Sequence, residues 1–127
     1  MHPATGVVRT LLRLEGLTVL VLSIAAYARW GEHGWGLFAV LALAPDLSLA
    51  GYFGGPRIGA IAYNAAHTYI VPAVVGCVGV CCSGTLPMAI ALIWIAHIGM
   101  DRAIGYGLKY ASGFNDTHLG PVGRRSA

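Results

Sequence analysis

Apolar residues gather in four long runs, at about 11–29, 36–54, 58–82 and 86–109, with short polar or glycine-containing breaks between them. Each run is close to the ~20 residues that an α-helix needs to cross a hydrocarbon core. The breaks are Trp30 to Trp35, Gly55-Pro56-Arg57 and Ser83-Gly84-Thr85. Glycine and proline supply the turn chemistry, and loops this short make consecutive helices antiparallel neighbours. The pattern predicts an all-α integral membrane protein: one transmembrane domain, a four-transmembrane-helix up-down-up-down bundle. A polar, glycine-rich tail, residues 111–127, follows. Its first part, Ser112 to Gly120, reads as an ordered loop and its end, Arg124 to Ala127, as frayed.

Composition agrees with this reading. Of 127 residues, 57% are hydrophobic and only 10% charged, against about 25% charged in an ordinary soluble domain. The net charge of +3 is spread too thinly to form a nucleic-acid-binding patch. It acts instead as a topology signal. Arg9, Arg13, Arg57, Lys109, Arg124 and Arg125 fall on one side, with Arg102 nearby, and Arg29 falls on the other. Both termini are therefore expected to be cytoplasmic, in a multi-pass protein of the cell membrane. Trp30 and Trp35 suit the outer aromatic belt, and Tyr52, Tyr106 and Tyr110 the inner one. The first run is too long for a signal peptide and no small-residue cleavage motif follows it, so it is expected to be retained. Cys77, Cys81 and Cys82 share one segment and read as small residues packing among helices, with copper or redox use as the sharper alternative.

The runs carry ionisable residues at depths where lipid makes them costly, and such residues are functional candidates by default. In the second run Asp46 lies roughly 15 Å below the outer boundary, at a rise of ~1.5 Å per residue. Pro45 beside it predicts a kink. In the third run Tyr63, Asn64 and His67 ascend from Arg57, with His67 roughly 14 Å above the inner boundary. Pro72 frees a carbonyl nearby. In the fourth, His97 and Asp101 are roughly 16 and 22 Å down, one turn apart on the same face. Trp94 shares that face, Arg102 is expected to snorkel to the inner headgroups, and Gly99 with Ala103 allows a close helix approach. Glu15 sits about a turn inside the first run, either leaning into the bundle or paired at the headgroups. The tail adds Asp116 and His118, which a fold-back would bring to the inner mouth.

Antiparallel counting thus brings Asp46, Asn64, His67, His97 and Asp101 to similar depth, and the favoured reading is one shared polar site. Several segments also carry a resemblance: Leu12-Arg13-Leu14-Glu15-Gly16, Ala44-Pro45-Asp46-Leu47-Ser48, Tyr63-Asn64-Ala65-Ala66-His67, Ala96-His97-Ile98-Gly99-Met100-Asp101-Arg102, Gly105 to Tyr110 and Gly113 to Gly120. Together they span nearly the whole chain, which resembles the small bacterial membrane proteins of domain-of-unknown-function family 4260. The resemblance implies a compact helical membrane protein and supplies no activity, substrate or cofactor.

Function is therefore weighed on the site. The leading expectation is a membrane-embedded enzyme, a hydrolase acting on a lipophilic small molecule through a divalent metal, zinc or iron. His67, His97 and Asp101 are the first-choice metal ligands, and Asp116 and His118 the second. Asp46, Asp101, His97 and Glu15 are the catalytic candidates, with Asp46 as ligand or general base. Asn64, Tyr63 and Trp94 are the substrate-binding candidates. Metal-free acid–base catalysis, such as isomerisation, epoxide opening or cyclisation, is the alternative. A haem ligated by His67 and His97 and a proton-coupled transporter are further alternatives. Small-residue faces also allow a homodimer.

Overall fold

The computed structural model describes residues 2–123; the expectations for Arg124, Arg125 and the frayed end lie outside the described residues. The described residues form helices α1 (Gly6–Trp30), α2 (Gly34–Leu41), a 3-10 helix (Ala44–Gly54), α3 (Pro56–His67), α4 (Ile70–Cys81) and α5 (Thr85–Ile104). No strand is present among them, only an isolated antiparallel bridge between Lys109 and Thr117. α2 with the 3-10 helix makes one span and α3 with α4 another. Four helical segments, Gly6–Trp30, Gly34–Gly54, Pro56–Cys81 and Thr85–Ile104, are thus long and apolar enough to cross a membrane.

α5 is the central element. Half of its span is buried inside the protein, against 6–17% of the other three. Small residues make this possible: Ala89, Ala91 and Ala96 are almost fully enclosed, with Ile93 and Ile98 filling the space between them. α1 and α4 pack along α5, while the 3-10 helix packs along α3. α1 approaches most closely through Gly16 and Gly99. A Cβ on Gly99 would meet the Leu20 backbone nitrogen at 2.8 Å and the Gly16 carbonyl at 2.9 Å, so no side chain fits there at this close helix separation. α1 meets its sequence neighbour α2 at one end, where Tyr27, Trp35 and Phe38 pack with ring centroids 5.1–5.3 Å apart. The bundle therefore closes α1 onto the last span instead of onto the second.

Two of the expected continuous spans are broken, and both breaks sit at prolines. α2 ends at Leu41, and an 11-residue 3-10 helix starts at Ala44 with Pro45 in its first turn, a length that this tighter winding seldom reaches. α3 ends at His67, where Thr68 turns extended (φ −90°, ψ 146°), and α4 restarts with Pro72 in its first turn, where no amide donor is needed. The last span ends at Ile104, five residues before the expected Lys109. Gly105 takes the left-handed conformation (φ 101°) that closes a helix and that other residues resist.

The chain beyond Gly105 does not stay outside the bundle. Lys109, Thr117 and Leu119 are buried. Asn64, two turns into α3, grips the Lys109 backbone through both ends of its amide: Nδ2 donates to the Lys109 carbonyl (2.8 Å) and Oδ1 accepts the Lys109 amide (2.7 Å). The tail is partly enclosed by protein and partly lines a cavity.

Cys77, Cys81 and Cys82 are exposed on α4. They face outwards and do not pack among helices as expected, because α4 turns its Pro72 and Gly79 side inwards.

Candidate functional site

Where the two helix breaks face α5, four ionisable side chains converge. Asp46 comes from the first turn of the 3-10 helix, His67 from the last residue of α3, and His97 and Asp101 from successive turns of α5. Their ligand atoms lie within 4.8 Å of one another. His67 Nε2 is 3.2 Å from His97 Nε2, 3.4 Å from Asp46 Oδ1 and 3.5 Å from Asp101 Oδ2. His97 Nε2 is 3.3 Å from both of those carboxylate oxygens. His67, His97 and Asp101 are buried, whereas the Asp46 side chain is 45% exposed.

Each imidazole is oriented by its other nitrogen. His67 Nδ1 donates to the Tyr63 carbonyl one turn back (2.8 Å), and its ring stacks on Tyr63 at 3.7 Å between centroids. His97 Nδ1 donates to the Ala42 carbonyl. That carbonyl is vacant for a local reason. In 3-10 winding its partner would be the amide of residue 45, which is proline, and the amide of Asp46 goes to Leu43 instead (3.2 Å). A carbonyl can only accept, so Nδ1 carries a proton in both rings, and a ring without a second proton turns a bare Nε2 lone pair towards the centre.

Arg102 does not snorkel to the headgroups. It is buried, and its guanidinium donates to the carbonyls of His67 (2.9 Å) and Tyr106 (3.1 Å). The break after His67 leaves that carbonyl without a helical donor, and Arg102 supplies one.

The remaining candidates divide. Tyr63 lines a cavity of about 240 Å³ together with Asp46, Asp101, Tyr106, Lys109 and Phe114. Trp94 lines a separate apolar cavity of about 320 Å³ with Pro45, Ala66 and Ile90, and donates to the Ala66 carbonyl (2.6 Å). Asn64 is not among the residues lining either cavity, and its amide pairs with the Lys109 backbone. Glu15 is exposed on α1 and stays outside the cluster, because its neighbour Gly16 is the residue turned towards α5. Asp116 and His118 do not join it either. Asp116 accepts from Ser112 (2.8 Å), and His118 Nδ1 accepts the Leu108 amide (2.8 Å), which ties both into the tail's own turns. Sequence reasoning counted Lys109 only as a topology charge and missed it as a cavity residue. The glycines at 105 and 107 were the available sign that the helix ends before it.

These features define a multi-pass helical membrane protein with a buried His/Asp cluster at the junction of two broken helices. The chain belongs to the family described as "Domain of unknown function (DUF4260)", whose model matches residues 9–122. No curated protein and no solved structure matches it.

Proposed function

We propose that Asp46, His67, His97 and Asp101 hold a divalent metal, zinc by preference, and that the protein is a membrane-embedded hydrolase of lipophilic substrates. The spacing of the four ligand atoms carries this reading. The five separations that involve a histidine nitrogen are 3.2–3.5 Å, and all four atoms lie within 4.8 Å of one another. A point equidistant from four atoms so spaced lies roughly 2.0–2.4 Å from each, a range that includes the bond length of zinc to imidazole nitrogen and carboxylate oxygen. A metal-free cluster bridged by a protonated imidazole would be drawn to the ~2.7–2.9 Å of charge-assisted hydrogen bonds. Two axial haem ligands would put their nitrogens about 4 Å apart, with the porphyrin between them.

Charge supports the same conclusion. Two carboxylates within 4.8 Å repel each other in a membrane interior. A divalent cation with two aspartates and two neutral imidazoles is net neutral, so the cluster becomes tolerable there. The carbonyls of Tyr63 and Ala42 act on the ring Nδ1 atoms as metal-site supports that fix tautomer and orientation.

His67, His97 and Asp101 form a buried three-ligand set, the usual protein share of a catalytic zinc site. Asp46 is the fourth corner, half exposed and lining the cavity. A metal held there would lower the pKa of a bound water, and Asp46 would be placed to act as ligand or as general base. The apolar cavity beside Trp94 and Pro45 suits a hydrocarbon chain. The distribution of Arg and Lys supports a cell-membrane topology with both termini cytoplasmic and the Lys109 cavity on the cytoplasmic side.

The test is hydrolysis of long-chain p-nitrophenyl esters and phosphates by detergent-purified protein, stripped of metal and reloaded with zinc. Activity is expected to follow zinc, and Asp46→Asn is expected to lower kcat by about 10²–10⁴-fold, the usual loss on removing a general base. Hydrolysis that persists unchanged in stripped protein contradicts the metal-dependent reading.

A further inference from the structure

The 240 Å³ cavity next to the cluster contains a cation that the proposed hydrolytic chemistry does not use. Lys109 is only 7% exposed, yet no carboxylate among the described residues lies within 4.0 Å of its Nζ. The ammonium makes one hydrogen bond, to the Phe114 carbonyl (2.7 Å). Its other support comes from aromatic faces, with Nζ 3.8 Å from the Phe114 ring centroid and 4.7 Å from that of Tyr63. An ammonium has three donors, so two remain for the cavity. The position is built rather than incidental. Asn64 clamps the Lys109 backbone, and the bridge to Thr117 fixes the tail on its other side. Burial lowers the Lys109 pKa, opposed by Asp101, so the charge is held without full compensation and an incoming anion would supply it.

We propose that Lys109 is the anchor for an anionic headgroup, and that the substrate of the metal centre is an anionic amphiphile. This inference rests on the metal reading, and the charge balance shows why. Two aspartates and Lys109 alone leave the cavity at −1, which repels an anion. With a divalent metal the balance is +1, which attracts one. Headgroup and metal therefore bind cooperatively, and each raises the affinity for the other by the same factor. Because Lys109, Asp46 and Asp101 line one cavity, the phosphate or carboxylate would lie within it near both the ammonium and the metal ligands, with the hydrocarbon part along the apolar walls. Lys109 is then a residue that determines specificity for charge, while the metal does the chemistry.

The experiment is calorimetric titration of the full-length protein in a neutral maltoside detergent, with zinc content measured on the same samples. Decyl phosphate, inorganic phosphate and decanol are the probes. Decyl phosphate is expected to bind zinc-loaded protein at least tenfold more tightly than stripped protein. Lys109→Met, which keeps the aliphatic stem, is expected to weaken that binding at least tenfold and leave decanol unaffected. Lys109→Arg is expected to stay within about threefold of the parent. Thermal melting checks that both variants fold, and if Lys109→Met does not, the loaded parent's preference for decyl phosphate over decanol decides. Equal binding of decyl phosphate and decanol to loaded protein overturns the headgroup assignment, as does decyl phosphate binding that folded Lys109→Met leaves unchanged. Inorganic phosphate binding as tightly as decyl phosphate overturns the amphiphile. A parent protein that takes up no zinc overturns the metal reading itself, a result visible in the zinc content before any titration.

Discussion

His97 and Arg102 lie on the same helix and solve related problems. Each donates to a carbonyl that a helix break has stripped of its partner, His97 to Ala42 and Arg102 to His67. The two breaks therefore fix the site from behind: one sets the tautomer of a ligand, and the other ties down the backbone of the second histidine. Removing the guanidinium takes the donor from the carbonyl of the fully buried His67 and from that of Tyr106. Arg102→Gln is expected to cost about 1.5–3 kcal/mol, the range for hydrogen bonds to charged groups, measured by unfolding in mixed detergent. Zinc affinity should fall with it, because the His67 backbone loses its tether. An unfolding curve that overlays the parent's would remove Arg102 from this role.

The breaks are also what sequence reading saw least clearly. Hydropathy located the four spans to within a few residues because each must be apolar over a membrane's thickness, and that constraint is written residue by residue. Pro45 announced a local distortion beside Asp46, but nothing local distinguishes a kink from a long 3-10 helix. That outcome depends on His97, which lies fifty-two residues further on and takes the vacant carbonyl. Depth counting brought Asp46, His67, His97 and Asp101 together correctly. It assigned Asn64 to the same site because depth says nothing about what an amide faces, and here it faces the returning tail. Glu15 was misplaced for a similar reason, since one residue's step around α1 separates it from the packed face of Gly16. Pro45→Ala tests the element directly. An amide at residue 45 competes with His97 for the Ala42 carbonyl and allows α-helical winding, which swings Asp46 off the cluster. Zinc affinity is expected to drop about 10–100-fold, the usual effect of losing an outer-shell partner. Circular dichroism should show equal or greater helicity, and unchanged affinity would contradict the coupling.

At the scale of the molecule, the tail acts as an internal wall. It turns at Gly105, presents Lys109 and Phe114 to the cavity, and returns through Thr117 and His118, whose carbonyl accepts the Ala4 amide near the start of the chain. His118 must be neutral to accept the Leu108 amide. Burial, with Arg102 adding repulsion, holds its pKa below 6.5 in the folded protein. Stability from this group is therefore fully present above about pH 6.5 and lost as pH falls through the folded pKa. Metal-stripped protein is expected to melt at progressively lower temperature on acidification below pH 6.5, and His118→Gln should flatten that part of the profile. Equal slopes for the two proteins would exclude the tail histidine as their source.

The central question is whether the four converging side chains hold a metal. X-ray absorption at the zinc edge, on purified protein with zinc content measured alongside, tests this most directly. The expected result is one zinc per chain with four nitrogen and oxygen neighbours at about 2.0–2.1 Å and two imidazole scattering patterns, lost in His97→Ala and Asp101→Ala. Protein that remains folded yet takes up no stoichiometric zinc, or holds it in a six-coordinate shell without imidazole, would contradict the account.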